Sequence, residues 1–163
     1  MALPVGDIET RSDCERLVRA FYGRALEDEV IGWLFTDIAR LDLEAHVPRI
    51  TAFWETVLLG AGTYSGGAFR PHVALHARAR LRGGHFERWL HLWNETVDGM
   101  FSGPRAQLAK GHAARVARAF ASRLGAYEPP LTAAVSSTGG PLAITLHGPG
   151  GDGARAVTGS AHA

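Results

Sequence analysis

The sequence predicts an all-α fold, and three observations support this prediction. Apolar residues recur at helical spacing in four long segments and give each segment one continuous apolar side. Stretches rich in glycine or containing proline separate these segments, as at 60–67 and 102–104. No long segment alternates apolar and polar residues with a period of two, and no Asn-Gly hairpin dipeptide occurs. Helices joined by short breaks are therefore expected, without a sheet.

Length and composition are those of one ordinary globular domain. The chain has 163 residues, of which 46% are hydrophobic and 20% charged, and its net charge is +1. This charge argues against nucleic acid or a membrane surface as the main partner. Cys14 is the only cysteine, which excludes an internal disulfide and is typical of a reducing cytoplasm. No apolar run reaches about 18 residues and no secretory signal precedes the first helix, so a cytoplasmic protein is expected.

The first helix is expected to begin at a capping box formed by Ser12 and Glu15. Its apolar stripe contains Leu17, Val18, Phe21, Tyr22, Ala25 and Leu26. The phenol of Tyr22 must reach the surface or find a partner, because a buried hydroxyl without one costs about 1–3 kcal/mol. The apolar segment 30–35 that follows is predicted to be a compact turn or a second short helix.

The second long helix carries one imidazole in a broad apolar stripe. Asp42 is its expected N-cap, and the stripe consists of Leu43, His46, Val47, Ile50, Phe53, Trp54, Val57 and Leu58. Pro48 lies later than a helix normally tolerates proline. Either the first turn is irregular, or the regular helix begins close to His46.

A second histidine-bearing segment follows the glycine-rich break. Pro71 suits the first turn of a short helix that carries His72, Leu75 and His76. The segment 77–84, with three arginines, is predicted to be a solvated basic loop. Two further helices are expected, one from His85 with an aromatic face and one from about Pro104 to Leu124, which Gly125 ends. Residues 1–127 form the predicted domain, and the Gly- and Pro-rich segment 128–163 is predicted to be disordered.

Three side chains with hydrogen-bonding tips lie on the apolar stripes of three different helices: Tyr22, His46 and Trp89. Their burial is costly unless they converge on something polar. On spacing alone, a histidine at the edge of the core is the favoured interpretation of His46. His72 with His76 could hold zinc, although no further ligand stands at a recognisable spacing. His85, His91 and His112 are expected to be solvated.

These residues, taken in order, resemble the group III truncated haemoglobins of bacteria. The resemblance covers about residues 8–126 and rests on the order and gaps of its landmarks: Phe21-Tyr22, Ile31-Gly32 through Phe35, His46 with Ile50, Phe53-Trp54, Leu58-Leu59-Gly60, Tyr64, Gly66, His72 and Phe86 to Leu90. It implies a shortened globin fold in which helices pack two over two around haem b.

The resemblance also implies a role for each matched residue. His72 is the expected proximal ligand of the iron, and Tyr22, His46 and Trp89 are the expected polar group on the distal side, which Ile50 shapes. Phe35, Phe53, Trp54 and Tyr64 are expected to contact the porphyrin. Charge and position alone suggest Arg49 and Arg70 as partners of the haem propionates, and His76 is expected to be exposed or close to a propionate.

The function that follows from this resemblance is binding of dioxygen or another diatomic ligand such as NO or CO. Several distal donors favour slow ligand release, or redox turnover of oxygen, peroxide or nitrogen oxides as in a peroxidase, a nitric oxide dioxygenase or a nitrite reductase. Such turnover would need an external reductase. Two other classes stay open from the residues: a haem-free helical interaction domain, and a non-haem metal protein using His72 and His76.

Overall fold

The computed structural model describes residues 6–126, and these residues form helices without any strand. Five α-helices follow one another along the chain: α1 (Arg11–Ala25), α2 (Leu43–Leu59), α3 (Arg70–Arg78), α4 (Gly83–Met100) and α5 (Pro104–Leu124). A π-helical turn (Leu34–Ile38) lies between α1 and α2. No helix within the described range is long and apolar enough to cross a membrane. The predicted disordered segment 128–163 lies outside the described residues.

The capping box of α1 uses a different pair from the predicted one. Thr10 is the N-cap, its hydroxyl accepts from the backbone N–H of Asp13, and the Asp13 carboxylate accepts from the N–H of Thr10. The prediction of Ser12 with Glu15 is therefore wrong by two residues. Thr10 adopts the extended backbone that an N-cap requires, so Ser12 already lies inside the first turn.

Helix α2 begins where the sequence predicts and continues through its proline. Asp42 caps the helix by accepting from the N–H of Ala45, and Gly60 ends it in the left-handed conformation. Pro48 lies inside the helix, so the alternative in which the regular helix begins close to His46 is wrong. The side chain of Pro48 is exposed, and its missing N–H leaves only the Glu44 carbonyl, near the helix start, without its usual donor.

Half of the predicted basic loop 77–84 is helical. Ala77 and Arg78 end α3, and Gly83 and Gly84 begin α4, so only four residues connect the two helices. Leu81, in the middle of this connection, is 3% exposed and belongs to the hydrophobic core. The prediction of a solvated connector is wrong at this residue, because the turn directs Leu81 inward and the flanking arginines outward.

The helices form two packed pairs. Helix α1 packs against α2, α4 packs against α5, and the pairs meet through contacts of α1 with α4 and of α2 with α5. This is the two-over-two arrangement of a shortened globin fold, as predicted. Helix α3 has no buried residue and contacts only α5 and the π-helical turn. The resulting space between α3 and the two pairs is where the candidate site lies.

Candidate functional site

A cavity of about 260 Å³ opens between the helix pairs and α3. Most of its walls are apolar and aromatic. Polar side chains among them come from four helices and from the loop after α2: Tyr22, His46, Arg49, Tyr64, His72, His85 and Trp89. An apolar cavity with a few convergent polar groups is the common form of a ligand site. The structure thus brings Tyr22, His46 and Trp89 to one cavity, together with His72.

His72 is half-buried in the cavity wall, and its hydrogen bond defines its tautomer. Its Nδ1 lies 2.8 Å from the carbonyl oxygen of Ala68, one helical turn earlier. A carbonyl can only accept, so Nδ1 carries the proton and Nε2 of the neutral ring keeps a free lone pair. Burial lowers the pKa of His72, although the bond to Ala68 opposes this effect. The ring also packs against that of Phe120, with their centres 4.8 Å apart.

Tyr22 and His46 form a hydrogen-bonded pair in another part of the wall. The phenolic oxygen of Tyr22 lies 2.7 Å from Nε2 of His46. Burial raises the pKa of Tyr22 far above its usual value, so the phenol stays protonated. Burial also lowers the pKa of His46, and the charges of Arg49 and His72 act in the same direction. Both partners are thus neutral near pH 7.

Trp89 belongs to a group of packed indoles beside this pair. Its ring is parallel to that of Trp93 at a centre distance of 6.2 Å, and Trp93 stacks on Trp54 at 4.4 Å. Trp93 donates its N–H to the carbonyl of Ala109. Within residues 6–126 the indole N–H of Trp89 has no hydrogen-bond partner, so this donor is available to a ligand.

The other side chains predicted to bind a cofactor divide into two groups. The structure places six of them in the cavity wall: Phe35, Arg49, Ile50, Phe53, Trp54 and Tyr64. Arg70, by contrast, is exposed at the start of α3 and does not line the cavity. The two predicted propionate partners are therefore not equivalent, and only Arg49 is positioned to meet a ligand in the cavity.

Three of the other histidines are less exposed than expected. Nδ1 of His76 accepts from the N–H of Leu81, and this side chain does not line the cavity. His85 lines the cavity, and His112 packs its ring against Phe53 and Trp54. The prediction that His85 and His112 are solvated is wrong, because aromatic rings from other helices cover them. Of the three described histidines that were expected to be solvated, only His91 is exposed.

No cluster suited to an ordinary metal ion exists in the described part of the chain, where no three His, Cys, Asp or Glu residues come together. This finding gives no support to a zinc site at His72 and His76. Haem, by contrast, needs only one free histidine nitrogen on one side of the cavity, so a three-residue cluster is not required.

Sequence reasoning missed several residues of the cavity wall, among them His85, Leu81 and Phe120. Leu81 stands between arginines in a short segment that shows no apolar periodicity, so its burial could not be predicted. Phe120 was assigned to the core, although it is the only aromatic residue of the alanine-rich helix α5. That isolated ring was a usable signal, because a lone aromatic side chain among alanines indicates a space that needs filling.

Similarity to known proteins agrees with this geometry. The chain is 28% identical over 115 residues to the group 3 truncated haemoglobin ctb of Campylobacter jejuni. The aligned region covers 69% of this chain and 88% of that relative. A crystal structure of a group III truncated haemoglobin from the same organism matches with a TM-score of 0.62 and 24% identity, over 71% of this chain and 91% of the other. No protein-family model matches. The resemblance predicted from the sequence is confirmed, and the fold is that of a truncated globin.

Proposed function

We propose that this chain, as a relative of the group III truncated haemoglobins, is a haem protein that binds diatomic gases at an iron held by His72. The observation that carries the proposal is the tautomer of His72. Because Ala68 holds the proton on Nδ1, the unprotonated Nε2 is available at the cavity wall. A neutral imidazole oriented by a backbone carbonyl is the usual arrangement of a histidine that ligates a metal.

The remaining walls of the cavity fit a flat apolar cofactor. When bound, haem b supplies an iron that can bind small ligands and exchange electrons. Phe35, Phe53 and Trp54 provide aromatic surface for the porphyrin, and Ile50 helps exclude water. Arg49 is the cation best placed to pair with a propionate. Arg49 lines the cavity, and its charge acts to lower the pKa of both His46 and Tyr64.

Two hydrogen-bond donors in the cavity wall, the phenol of Tyr22 and the indole of Trp89, favour retention of a ligand. If Nε2 of His46 donates to the phenolic oxygen of Tyr22, then the phenolic proton is free to bond a ligand. Trp89 can add its indole N–H. Each hydrogen bond to a ligand with negative character contributes about 1.5–3 kcal/mol, which corresponds to roughly 10- to 150-fold slower release. Fast-exchange oxygen storage is therefore not expected.

The same donors suit redox turnover. They would polarise a bound peroxide or nitrogen oxide, so peroxidase-like, nitric oxide dioxygenase or nitrite reductase activity is compatible with these residues. Each of these reactions consumes electrons, and an external reductase is the proposed source.

The test is haem uptake by the His72→Gly variant. Wild-type protein should show a Soret band whose position shifts on reduction and with carbon monoxide. The variant should lose stable haem binding, and added imidazole should restore the Soret band by replacing the missing ring. His76→Ala is the matched control, because it removes an imidazole from the same helix outside the cavity, and it should keep haem.

Two outcomes would contradict the proposal. A wild-type protein that stays colourless after haem addition would indicate a haem-free helical domain. Zinc or iron found without porphyrin, and lost in both histidine variants, would indicate a non-haem metal protein.

A further inference from the structure

The short connection between α3 and α4 carries positive charge directly against the cavity wall. Arg80 and Arg82 are exposed on either side of Leu81, whose buried side chain lines the cavity. Arg78, at the end of α3, is exposed as well. None of these arginines forms an ion pair with another described residue. Three free guanidinium groups thus lie within three residues of a side chain that faces the candidate haem.

An exposed apolar surface continues from these arginines. His85 lines the cavity and accepts a hydrogen bond from the backbone N–H of Arg82 through Nδ1, at 3.0 Å. Its ring packs edge-on against Trp33, with ring centres 6.2 Å apart. Trp33 is 40% exposed, and Val30, whose carbonyl accepts from the Trp33 indole, is 45% exposed. One chain of contacts therefore runs from Arg82 through His85 to the exposed Trp33.

The charges near this apolar end are partly neutralised. Asp28 lies just before Val30, but its carboxylate accepts two hydrogen bonds from the guanidinium of Arg88. Four other carboxylates, exposed and at positions close in sequence to this surface, form no ion pair with a described residue: Glu27, Glu29, Asp37 and Glu87. Positive charge is concentrated at the arginine end, because residues 56–86 contain no Asp or Glu. The surface therefore has a cationic end next to its exposed aromatic residue.

We propose that the surface formed by Arg78, Arg80, Arg82, Trp33 and Val30 is the docking site for an acidic protein that carries single electrons. This inference rests on the proposed function, since it assigns the entry point of the reductant. Cationic charge selects an acidic partner and accelerates encounter. The exposed Trp33 and Val30 provide the apolar contact that such interfaces need at their centre.

The position of the surface suits electron transfer. Leu81 and His85 belong both to the cavity wall and to the segments that carry the surface, so a docked partner is separated from the cavity by a single layer of side chains. In the transfer step the carrier loses one electron and the ferric iron of the bound haem gains it. No covalent bond forms or breaks, and no proton moves.

The experiment compares reduction of the haem-loaded protein by two donors in stopped flow. Photoreduced flavodoxin serves as the acidic carrier protein, and photoreduced lumiflavin serves as a small uncharged donor. The variant Arg80→Gln/Arg82→Gln should be reduced by flavodoxin about tenfold more slowly at low ionic strength, and salt should remove the difference. Reduction by lumiflavin should not change. Titration calorimetry with oxidised flavodoxin should show the matching loss of affinity.

Two control variants test the location and the sign of the effect. Arg115→Gln/Arg118→Gln removes the same charge from exposed positions on α5 and should leave both rates unchanged. Glu29→Gln removes one of the opposing charges and should leave the flavodoxin rate equal or faster.

Four results would overturn the inference. Equal slowing in both arginine variants would mean that net charge alone matters. An unchanged flavodoxin rate, with lost binding to phosphatidylserine vesicles in Arg80→Gln/Arg82→Gln, would assign the surface to a membrane. A wild-type protein without a Soret band would remove the proposed function and this inference together, whereas a normal Soret band without salt dependence would remove the inference alone.

Discussion

The hydroxyl of Tyr22 and Nε2 of His46 are 2.7 Å apart, so a side chain of α1 and one of α2 act as a single hydrogen-bonded unit in the cavity wall. Neither group is charged near neutral pH, because burial opposes ionisation of both. The pair therefore offers a ligand a neutral donor in a fixed position. A hydrogen bond from this pair to a ligand depends on the phenolic proton, which only Tyr22 can supply.

Replacement of Tyr22 by phenylalanine should accelerate dioxygen release. The variant keeps the ring, which packs against Phe21 and Phe35, but lacks the donor. One charge-assisted hydrogen bond contributes about 1.5–3 kcal/mol, so we expect release to be roughly 10- to 150-fold faster. Flash photolysis with oxygen replacement by carbon monoxide measures this rate.

Tyr64→Phe is the matched control for this measurement. It deletes a second phenolic hydroxyl from the cavity wall, in a ring that packs on Phe53 and is not bonded to His46. Its release rate should stay within a factor of about three of wild type. Equal acceleration in the two variants would assign the effect to general polarity of the cavity.

Replacement of His112 by phenylalanine should weaken the acid sensitivity of the fold. Nε2 of His112 is buried without a partner, and burial, aided by the charge of Arg115, lowers the pKa of this ring. Above about pH 6.5 the ring is neutral in the folded and unfolded states. As pH falls below that value the unfolded chain binds a proton that the folded chain resists, so stability is lost. The variant removes this loss.

The measurement is the urea midpoint at pH 7.5 and pH 5. His112→Phe should show a smaller drop between the two pH values than wild type, and a gain of about 1 kcal/mol at pH 5, because the buried N–H without an acceptor is also removed. His91→Phe, at an exposed position of α4, is the control. An unchanged drop in His112→Phe would show that other groups cause the acid sensitivity.

The long helices could be predicted because their apolar stripes are local properties of the sequence. Helix α5 has the predicted limits, Pro104 and Leu124, since proline and glycine mark both ends. The start of α1 could not be fixed in the same way. Thr10 with Asp13 and Ser12 with Glu15 both satisfy the capping pattern, and only the backbone conformation of Thr10 decides between them.

The burial of polar side chains was harder to predict where it depends on contacts with other helices. His112 becomes buried because Phe53 and Trp54 of α2 cover it, and His85 because Trp33 does. Such contacts have no periodic signature in the sequence. Arg49 and Arg70 looked equivalent for the same reason, since charge and approximate position were known but not the direction of each side chain.

Leu81 offers a direct test of the corrected connection between α3 and α4. A leucine in a solvated loop could be replaced with little effect, whereas Leu81 is almost completely buried and belongs to the core. We therefore expect Leu81→Ala to lower the free energy of unfolding by about 2–4 kcal/mol. Arg80→Ala, at the exposed neighbouring position, should change it by less than about 0.5 kcal/mol. Urea denaturation of both variants measures the difference. Equal small effects in the two variants would contradict the burial of Leu81.

Gly32 is expected to be irreplaceable for a steric reason. A Cβ atom at this position would lie 2.6 Å from the carbonyl oxygen of Leu26, closer than such atoms approach, and the obstacle is backbone. The turn cannot simply move, because the N–H of Gly32 donates to the carbonyl of Asp28 at 2.8 Å. Gly32→Ala should therefore lower the free energy of unfolding by about 1–3 kcal/mol or more.

Gly23→Ala provides the opposite case, since Gly23 is exposed within α1 and a Cβ there would meet nothing within 4 Å. Because alanine favours helix over glycine, that variant should gain about 0.5–1 kcal/mol. Urea denaturation compares the two, and a loss of equal size in both would show that alanine disturbs these positions through something other than the contact with Leu26.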